Sequence, residues 1–515
     1  MRKHQNIYYY FILTIISISF PLYYGNQGVF PIDSFLIFNG GYNVLNGHHP
    51  FKDYWSITGP LLDYLQKIFF IFGGINWLSY VAHAVFINLI LCLFSFYFFL
   101  KFSLDKIYSF IYALGIAILG YSQTGTPFMD HHAFMFSYIS LCFLLLGVKL
   151  KKNIYWLFSG FFIVFSFLSK QVPSAYFLIF LILFSILYLF FFKKNYKNIL
   201  SIFTGGLFAS LIFLLIFILN DVPLNNFLIQ YIFYPMTIGQ ERSEILNFDL
   251  KNTIFQFKFM YFAAIPYFII FFSIIKSKIN KHEKQNEILI FLIIFSMFSI
   301  FIYSQLMTKN QILIFFTIPF FVSISHLYVD KLKKNKKIIL IFLISIFLIS
   351  TTKYHFRFNE EKKFMELAGS DIKSGVEALQ LDNKLSPLKW ITPKFNLNPQ
   401  EEINLLLSIK KILLKEKKEF ILITDYQILP ALLSNSRVAP NKWYDSLSVP
   451  NQGNAYFEDY VAFSKNAILR EKIKKVFIID SEKRFIEELY LGQNCIDFKK
   501  INPIAIEATI ERCIN

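Results

Sequence analysis

The stretch VFPIDSFLIFNGGYNVLNGHHPFKDYWSITGPL, residues 29–61, follows the first apolar run of a 515-residue chain. It carries Asp33, His48, His49, Lys52 and Asp53, yet DSFLIFNGGYNVLNG (33–47) and GPLLDYLQKIFFIFGG (59–74) keep apolar residues at helical spacing. Two amphipathic helices joined by the turn-rich HHPFKDYWSITGP (48–60) are what a chain forms when it lies along a membrane surface. The segment therefore reads as one large loop, residues 26–75, that holds charged side chains at the interface.

The rest of the chain supplies the membrane. Hydrophobic residues make up 55% of it and aromatic residues 19%, with 65 Phe, more than one soluble core could hide behind a polar surface. Runs such as YYYFILTIISISFPLYY (8–24), FLIFLILFSILYLFFF (177–192), ILIFLIIFSMFSIFIY (288–303) and IILIFLISIFLIS (338–350) approach or reach the length that crosses a bilayer as helix. About eleven spans are predicted, near 7–25, 76–100, 107–121, 133–148, 154–169, 174–192, 199–219, 255–275, 287–303, 311–329 and 338–352. No small-residue cleavage site follows SFPLYYGNQ (19–27), so the first run is not read as a cleaved signal peptide.

The net charge of +17 is no sign of a nucleic-acid partner, because the basic residues sit in short clusters between apolar runs. With MRKHQN on the cytoplasmic side, KFSLDK (101–106), KLKKN (149–153), KKNYK (193–197), KSKINKHEK (276–284) and DKLKKNKK (330–337) all fall inside, the positive-inside pattern. This predicts a multi-pass cell (inner) membrane protein, in contact with membrane lipids, with residues 1–352 as its membrane domain. Residues 353–515 then lie outside and mix charged and apolar residues in globular proportions. Strand-like EFILITDY (419–426) and KKVFIID (474–480) with helix-like EEINLLLSIKKILLKEK (401–417) predict a soluble α/β domain. Cys495 and Cys513 in this tail read equally as a disulfide or as two free thiols.

Chemistry concentrates in the outer loops. Asp33 stands where the chain leaves the first span. It reads either as an N-cap for the helix that follows or as a base at head-group depth. Taken together, Asp33 early in the loop, two interfacial helices, and GHHPFKDYWSITGPL (47–61) with Asp53 resemble the GT-C superfamily of membrane glycosyltransferases. The likeness is greatest to the protein O-mannosyltransferase and aminoarabinose lipid A transferase group. It extends to Asp130 in TGTPFMDHH (124–132) and Lys170 in LSKQVPS (168–174), and departs at Ser34, where that group often has a second acid.

The resemblance implies transfer of a sugar from a polyprenyl-phosphate donor to a glycan, lipid or protein acceptor on the outer face, with inversion. Asp33 would take the acceptor proton. The departing phosphate needs positive charge, from Lys or Arg, from a divalent ion such as Mg or Mn, or from both. Lys52, Lys170 and Arg242 in GQERSE (239–244) are the candidate cations. Lys170 reads equally as a snorkelling lysine, and Arg242 as an ordinary loop arginine. Asp53 is a candidate for substrate binding and Asp130 for metal binding, against turn or helix capping for both. The adjacent His48/His49 and His131/His132 match no zinc spacing. Aromatics in NKWYDSLSVPNQGNAYFEDY (441–460) could stack on sugar rings or simply pack the tail.

Three other classes compete. A polymerase or ligase of lipid-linked glycans would lean on outer-loop arginines. A transporter or flippase would place ionisable groups near the midplane, often in repeated halves. A receptor-like protein would leave the elaborate first loop unexplained.

Overall fold

A backbone crossing hydrocarbon must satisfy its own polar groups, so the apolar runs have helix as their solution. In the computed structural model, which describes residues 2–192, 196–244, 249–277, 280–308, 312–332, 335–362 and 365–514, they take it. The chain begins with α1 (Arg2–Tyr24) and passes through α2 (Pro31–Ser34), α3 (Leu36–Leu45) and α4 (Pro60–Gly73) of the first outer loop. It continues with α5 (Trp77–Lys101), α6 (Lys106–Leu119), α7 (Met129–Leu150), α8 (Asn153–Ser169), α9 (Gln171–Phe191) and α10 (Tyr196–Leu219). After α11 (Leu224–Phe227) and α12 (Tyr234–Glu244) come α13 (Lys258–Lys276), α14 (Lys281–Thr308), α15 (Ile318–Val329) and α16 (Lys336–His355).

Among the described residues, eight helices are long and apolar enough to cross a membrane. Shorter apolar helices at Lys106–Leu119, Asn153–Ser169 and Phe315–Val329 stand at the other three predicted spans. The protein is a polytopic membrane protein. Parts of three predicted inner loops, residues 193–195, 278–279 and 333–334, lie outside the described residues. The apolar surface is turned outward: α10 exposes Leu200, Phe203, Leu207, Leu211 and Leu214, and buries Ala209, Phe213 and Phe217. Helices α8 and α10 meet at Gly160 and Gly205, where an added Cβ would lie 1.9 Å from the partner helix's backbone, the close approach that small residues permit.

The first outer loop differs from expectation by one helix. Pro31, at the start of α2, has the φ that a first helical turn needs, so helix begins before Asp33. It breaks at Phe35 and restarts as α3, where a single helix over 33–47 was expected.

The tail is α/β. Strands β1 (Val376–Glu377) and β2 (Lys389–Trp390) pair antiparallel. They are followed by α17 (Pro399–Leu413), β3 (Phe420–Thr424), α18 (Leu429–Leu433), α19 (Phe457–Arg470), β4 (Lys475–Ile479), β5 (Asp497–Asn502) and β6 (Ala505–Thr509). The four-stranded sheet runs β3-β4-β6-β5, with β3 and β4 parallel and the other pairs antiparallel. Both of its faces are covered. Phe420, Leu422, Phe477 and Ile479 pack into the core that continues from the membrane helices, while Ile421, Ile423, Val476 and Ile478 pack with Trp55 and Tyr234. Cys495 and Cys513 are bonded.

Packing crosses the 352/353 boundary at several points. The backbone of Lys389 in β2 exchanges hydrogen bonds with Asn26 and Gly28, both at 3.0 Å, and Val29 donates to Ile391 at 3.0 Å. Trp55 and Asn441 form a parallel bridge. Below it, Lys442 Nζ reaches both oxygens of Asp63 at 2.7 and 2.8 Å, with both side chains almost fully buried. The tail is thus fastened to the loop that carries Asp33.

Candidate active site

Asp33 lies inside the first turn of α2, not at its cap. The N-caps of α2 and α3 are Phe30 and Phe35, and neither helix has a side-chain cap. Capping, the alternative reading of Asp33, does not occur. Ser34 does the local work instead: its hydroxyl accepts the Phe30 N–H at 3.0 Å, and its carbonyl accepts the Tyr80 hydroxyl at 2.8 Å. Among the described residues no hydrogen bond is made to the Asp33 carboxylate. Burial, with the negative charges of Asp130 and Asp445, pushes its pKa up to about 7, against a partial offset from Lys170. A free, partly buried carboxyl that titrates near neutrality is suited to accept a proton.

Lys170 sits in the break between α8 and α9. Its ammonium binds Asp130 at 2.8 Å to Oδ1 and 2.6 Å to Oδ2. Asp130 lies in the first turn of α7 and is not its N-cap, a position that Phe128 takes. Lys170 is therefore held by a buried carboxylate and is not a free snorkelling residue. Two of the three ammonium donors go to Asp130, which leaves one for a ligand. The GPL turn presses against this break: a Cβ on Gly59 would lie 2.0 Å from the Ser169 carbonyl oxygen. Gln171 extends the junction by donating to the carbonyls of Ile57 at 2.9 Å and Tyr231 at 2.8 Å.

Beside Lys170 opens a cleft of about 150 Å³. Its wall includes Thr58 from the first loop, Lys170 and Tyr176 from the α8–α9 region, Arg242 from α12, and Trp443, Asp445 and Ser448 from the tail. Tyr234 of α12 donates to the Leu447 carbonyl at 2.9 Å, joining two of these walls. The structure thus brings together Lys170, Asp130 and Arg242, with Asp33 in electrostatic contact with the first two.

Lys52 and Asp53 lie elsewhere in the loop's contacts. Lys52 donates to the Asn220 carbonyl at 2.9 Å, at the end of α10. Asp53 accepts the His49 backbone N–H at 2.7 Å and pairs with Arg470 of the tail at 3.1 Å. Neither lines the cleft. His131 is engaged by Thr124 and Gln123, and His132 by Tyr121 and His83.

A divalent Mg or Mn ion fits this donor set poorly. Among the described residues no three His, Cys, Asp or Glu side chains converge. Both oxygens of Asp130 are occupied by Lys170, and the position after Asp33 holds a serine committed to the backbone.

Sequence reasoning did not single out Asp445, Trp443 or Ser448 individually, although it did mark the 441–460 stretch. It also missed Asp425, at the end of β3, whose pKa burial and Asp480 push up to about 7. Their signal is tertiary. The Trp55–Asn441 bridge joins segments nearly four hundred residues apart, and no local pattern announces it.

No protein-family model matches the chain, and no curated protein matches it. Among solved structures, the chain is similar to ArnT from Cupriavidus metallidurans in the apo state, with 8% identity and a TM-score of 0.49 over 100% of this chain and 99% of that one. It is also similar to ArnT from Cupriavidus metallidurans bound to undecaprenyl phosphate, with 9% identity and a TM-score of 0.45 over 99% of this chain and 98% of that one.

Proposed function

We propose that this protein is a membrane glycosyltransferase that moves a sugar from a polyprenyl-phosphate donor to an acceptor hydroxyl at the outer membrane surface. The observation that carries this reading is the pairing of two unlike environments: an uncapped carboxyl titrating near 7, and beside it a cleft walled by Lys170 and Arg242.

In this reading Asp33 takes the acceptor O–H proton as the acceptor oxygen attacks the sugar's anomeric carbon. The bond from that carbon to the phosphate oxygen breaks, its electrons leave on the phosphate, and the carbon inverts. Lys170 and Arg242 stabilise the charge that develops on the departing polyprenyl phosphate. Asp130 is a positioning residue that holds Lys170 at the cleft. A charge placed at a membrane interface persists when it has a partner, and Asp130 supplies it. No step here requires a metal ion.

The orientation proposed is cytoplasmic N terminus and outer tail, in the inner membrane. The Lys-rich loops opposite the cleft and the bonded cysteines of the tail both support it. The acceptor in this reading is a glycan, lipid or protein hydroxyl.

The test is to express wild type and Asp33→Asn at equal levels and profile surface glycans and polyprenyl-phosphate sugars by mass spectrometry. The expected result is loss of one sugar from the glycans with accumulation of its lipid-linked donor. Unchanged pools in the variant would refute the assignment.

A further inference from the structure

The tail contributes a wall to the cleft, and two residues of that wall each hold a buried polar atom without a hydrogen-bond partner among the described residues. Trp443 Nε1 and Ser448 Oγ are both buried and without a partner, among the described residues. Ser448 is only 1% exposed and lines the cleft, as does Trp443. A buried donor left unpaired is costly, which makes such atoms candidates for ligand contact. Between them Asp445 keeps one carboxylate oxygen turned to its own loop, accepting the Leu447 N–H at 3.1 Å.

The loop is held from both sides. Its start is anchored by the Trp55–Asn441 bridge and the Asp63–Lys442 pair, and Asn441 donates to the Trp443 carbonyl at 2.7 Å. Its end is anchored by the Tyr234 hydroxyl on the Leu447 carbonyl. A wall fixed in this way is preorganised to read shape.

We propose that tail residues Trp443, Asp445 and Ser448 form the sugar-recognising wall of the cleft, taking the ring of a polyhydroxylated sugar. This rests on the donor reading above. The indole offers a flat apolar face and one N–H, the serine a hydroxyl, and the carboxylate an acceptor for sugar hydroxyls, the mix of an apolar surface with few placed polar groups that ligand sites use. The ring bound here is the donor's rather than the acceptor's. In an in-line displacement the acceptor arrives opposite the leaving phosphate, on the side of its base, and the wall shares its cleft with both phosphate-binding cations, whereas Asp33 does not line it.

The test measures binding of purified full-length protein to bare polyprenyl phosphate and to polyprenyl phosphates carrying glucose, galactose, mannose or arabinose. Wild type is expected to bind at least one sugar-loaded lipid roughly tenfold more tightly than the bare lipid, the effect of two or three added hydrogen bonds. Trp443→Phe/Ser448→Ala, which keeps the aromatic ring and removes both donors, is expected to erase most of that increment while binding bare lipid as wild type does. Asp445→Asn alone is expected to lower it in part.

An increment unchanged in these variants overturns the proposal, as does equal weakening toward bare and loaded lipids, which would mark the loop as packing. Wild type that binds bare and loaded lipids equally overturns the sugar wall and leaves the phosphate reading standing. Failure of wild type to bind any of these lipids overturns both. If the double variant unfolds, Trp443→Phe alone makes the same comparison.

Discussion

In the proposed mechanism Asp33 is the base, and its raised pKa would then have consequences of opposite sign for activity and stability. As a base it must be ionised, so transfer is expected to rise with pH along a limb centred near 7. Asp445 contributes to that raised value, so Asp445→Asn should move the limb to lower pH. A pH profile of kcat/KM checks this, and a limb unmoved by Asp445→Asn would count against the coupling. For stability, the folded state binds the Asp33 proton more tightly than the unfolded chain, whose carboxyl titrates near 3.8. The native state therefore holds more protons across that interval, and the stability from this group is lost as pH rises through about 7. Asp33→Asn removes the dependence. Its unfolding temperature relative to wild type should be higher at pH 8 than at pH 5, while activity falls by about 10²–10⁴-fold, the usual worth of a general base. A difference constant across pH would mean that Asp33 is ionised without penalty in the fold.

At the scale of elements, the same short turns decide whether such residues are free to act. The first loop's Pro31 starts helix ahead of Asp33, which leaves the carboxyl uncapped. The GPL turn brings Gly59 against the α8–α9 break that presents Lys170. A side chain there has no room, so Gly59→Ala should shift the loop or the break, destabilising by about 1–3 kcal/mol as overpacking does. Transfer should fall further than this loss of stability explains, because Lys170 moves with the break. Thermal unfolding and initial rates measured on one preparation separate the two effects, and normal rates in a destabilised protein would leave the turn a purely structural role. This scale also shows where sequence is readable. The spans could be located because length and apolar content decide them, and β3 and β4 because continuous apolar runs mark buried strands. The hairpin of β5 and β6 escaped, since DFKKIN (497–502) is half charged and pairs through an edge. Lys170 and Asp130 could be proposed as residues but not as a pair, because their meeting depends on how α7 and α9 pack, and the two readings of Asp33 were separated by a single proline's placement.

For the molecule as a whole, the tail and the first loop work as one structure, and the Asp63–Lys442 pair is the test of it. The two groups are buried at the junction, with Tyr54 donating to Asp63 at 3.1 Å. Burial raises the Asp63 pKa, and Lys442 opposes that shift. A buried pair of this kind contributes little relative to an apolar pair of similar shape, but breaking it leaves one uncompensated charge. Lys442→Met should therefore cost about 3–5 kcal/mol, and Asp63→Asn/Lys442→Met should recover much of it. The pair also fixes the start of the loop that carries Trp443 and Asp445. If that loop reads the donor, Lys442→Met should raise KM for the donor more than it lowers kcat, because Asp33 and Lys170 stay in the membrane domain while the sugar wall drifts. The double variant should restore KM along with stability, since it removes the unpaired charge that drives the tail away. Recovery of stability without recovery of KM would show that Lys442 positions the wall through its own charge, and loss of kcat alone would show that the junction supports the base instead.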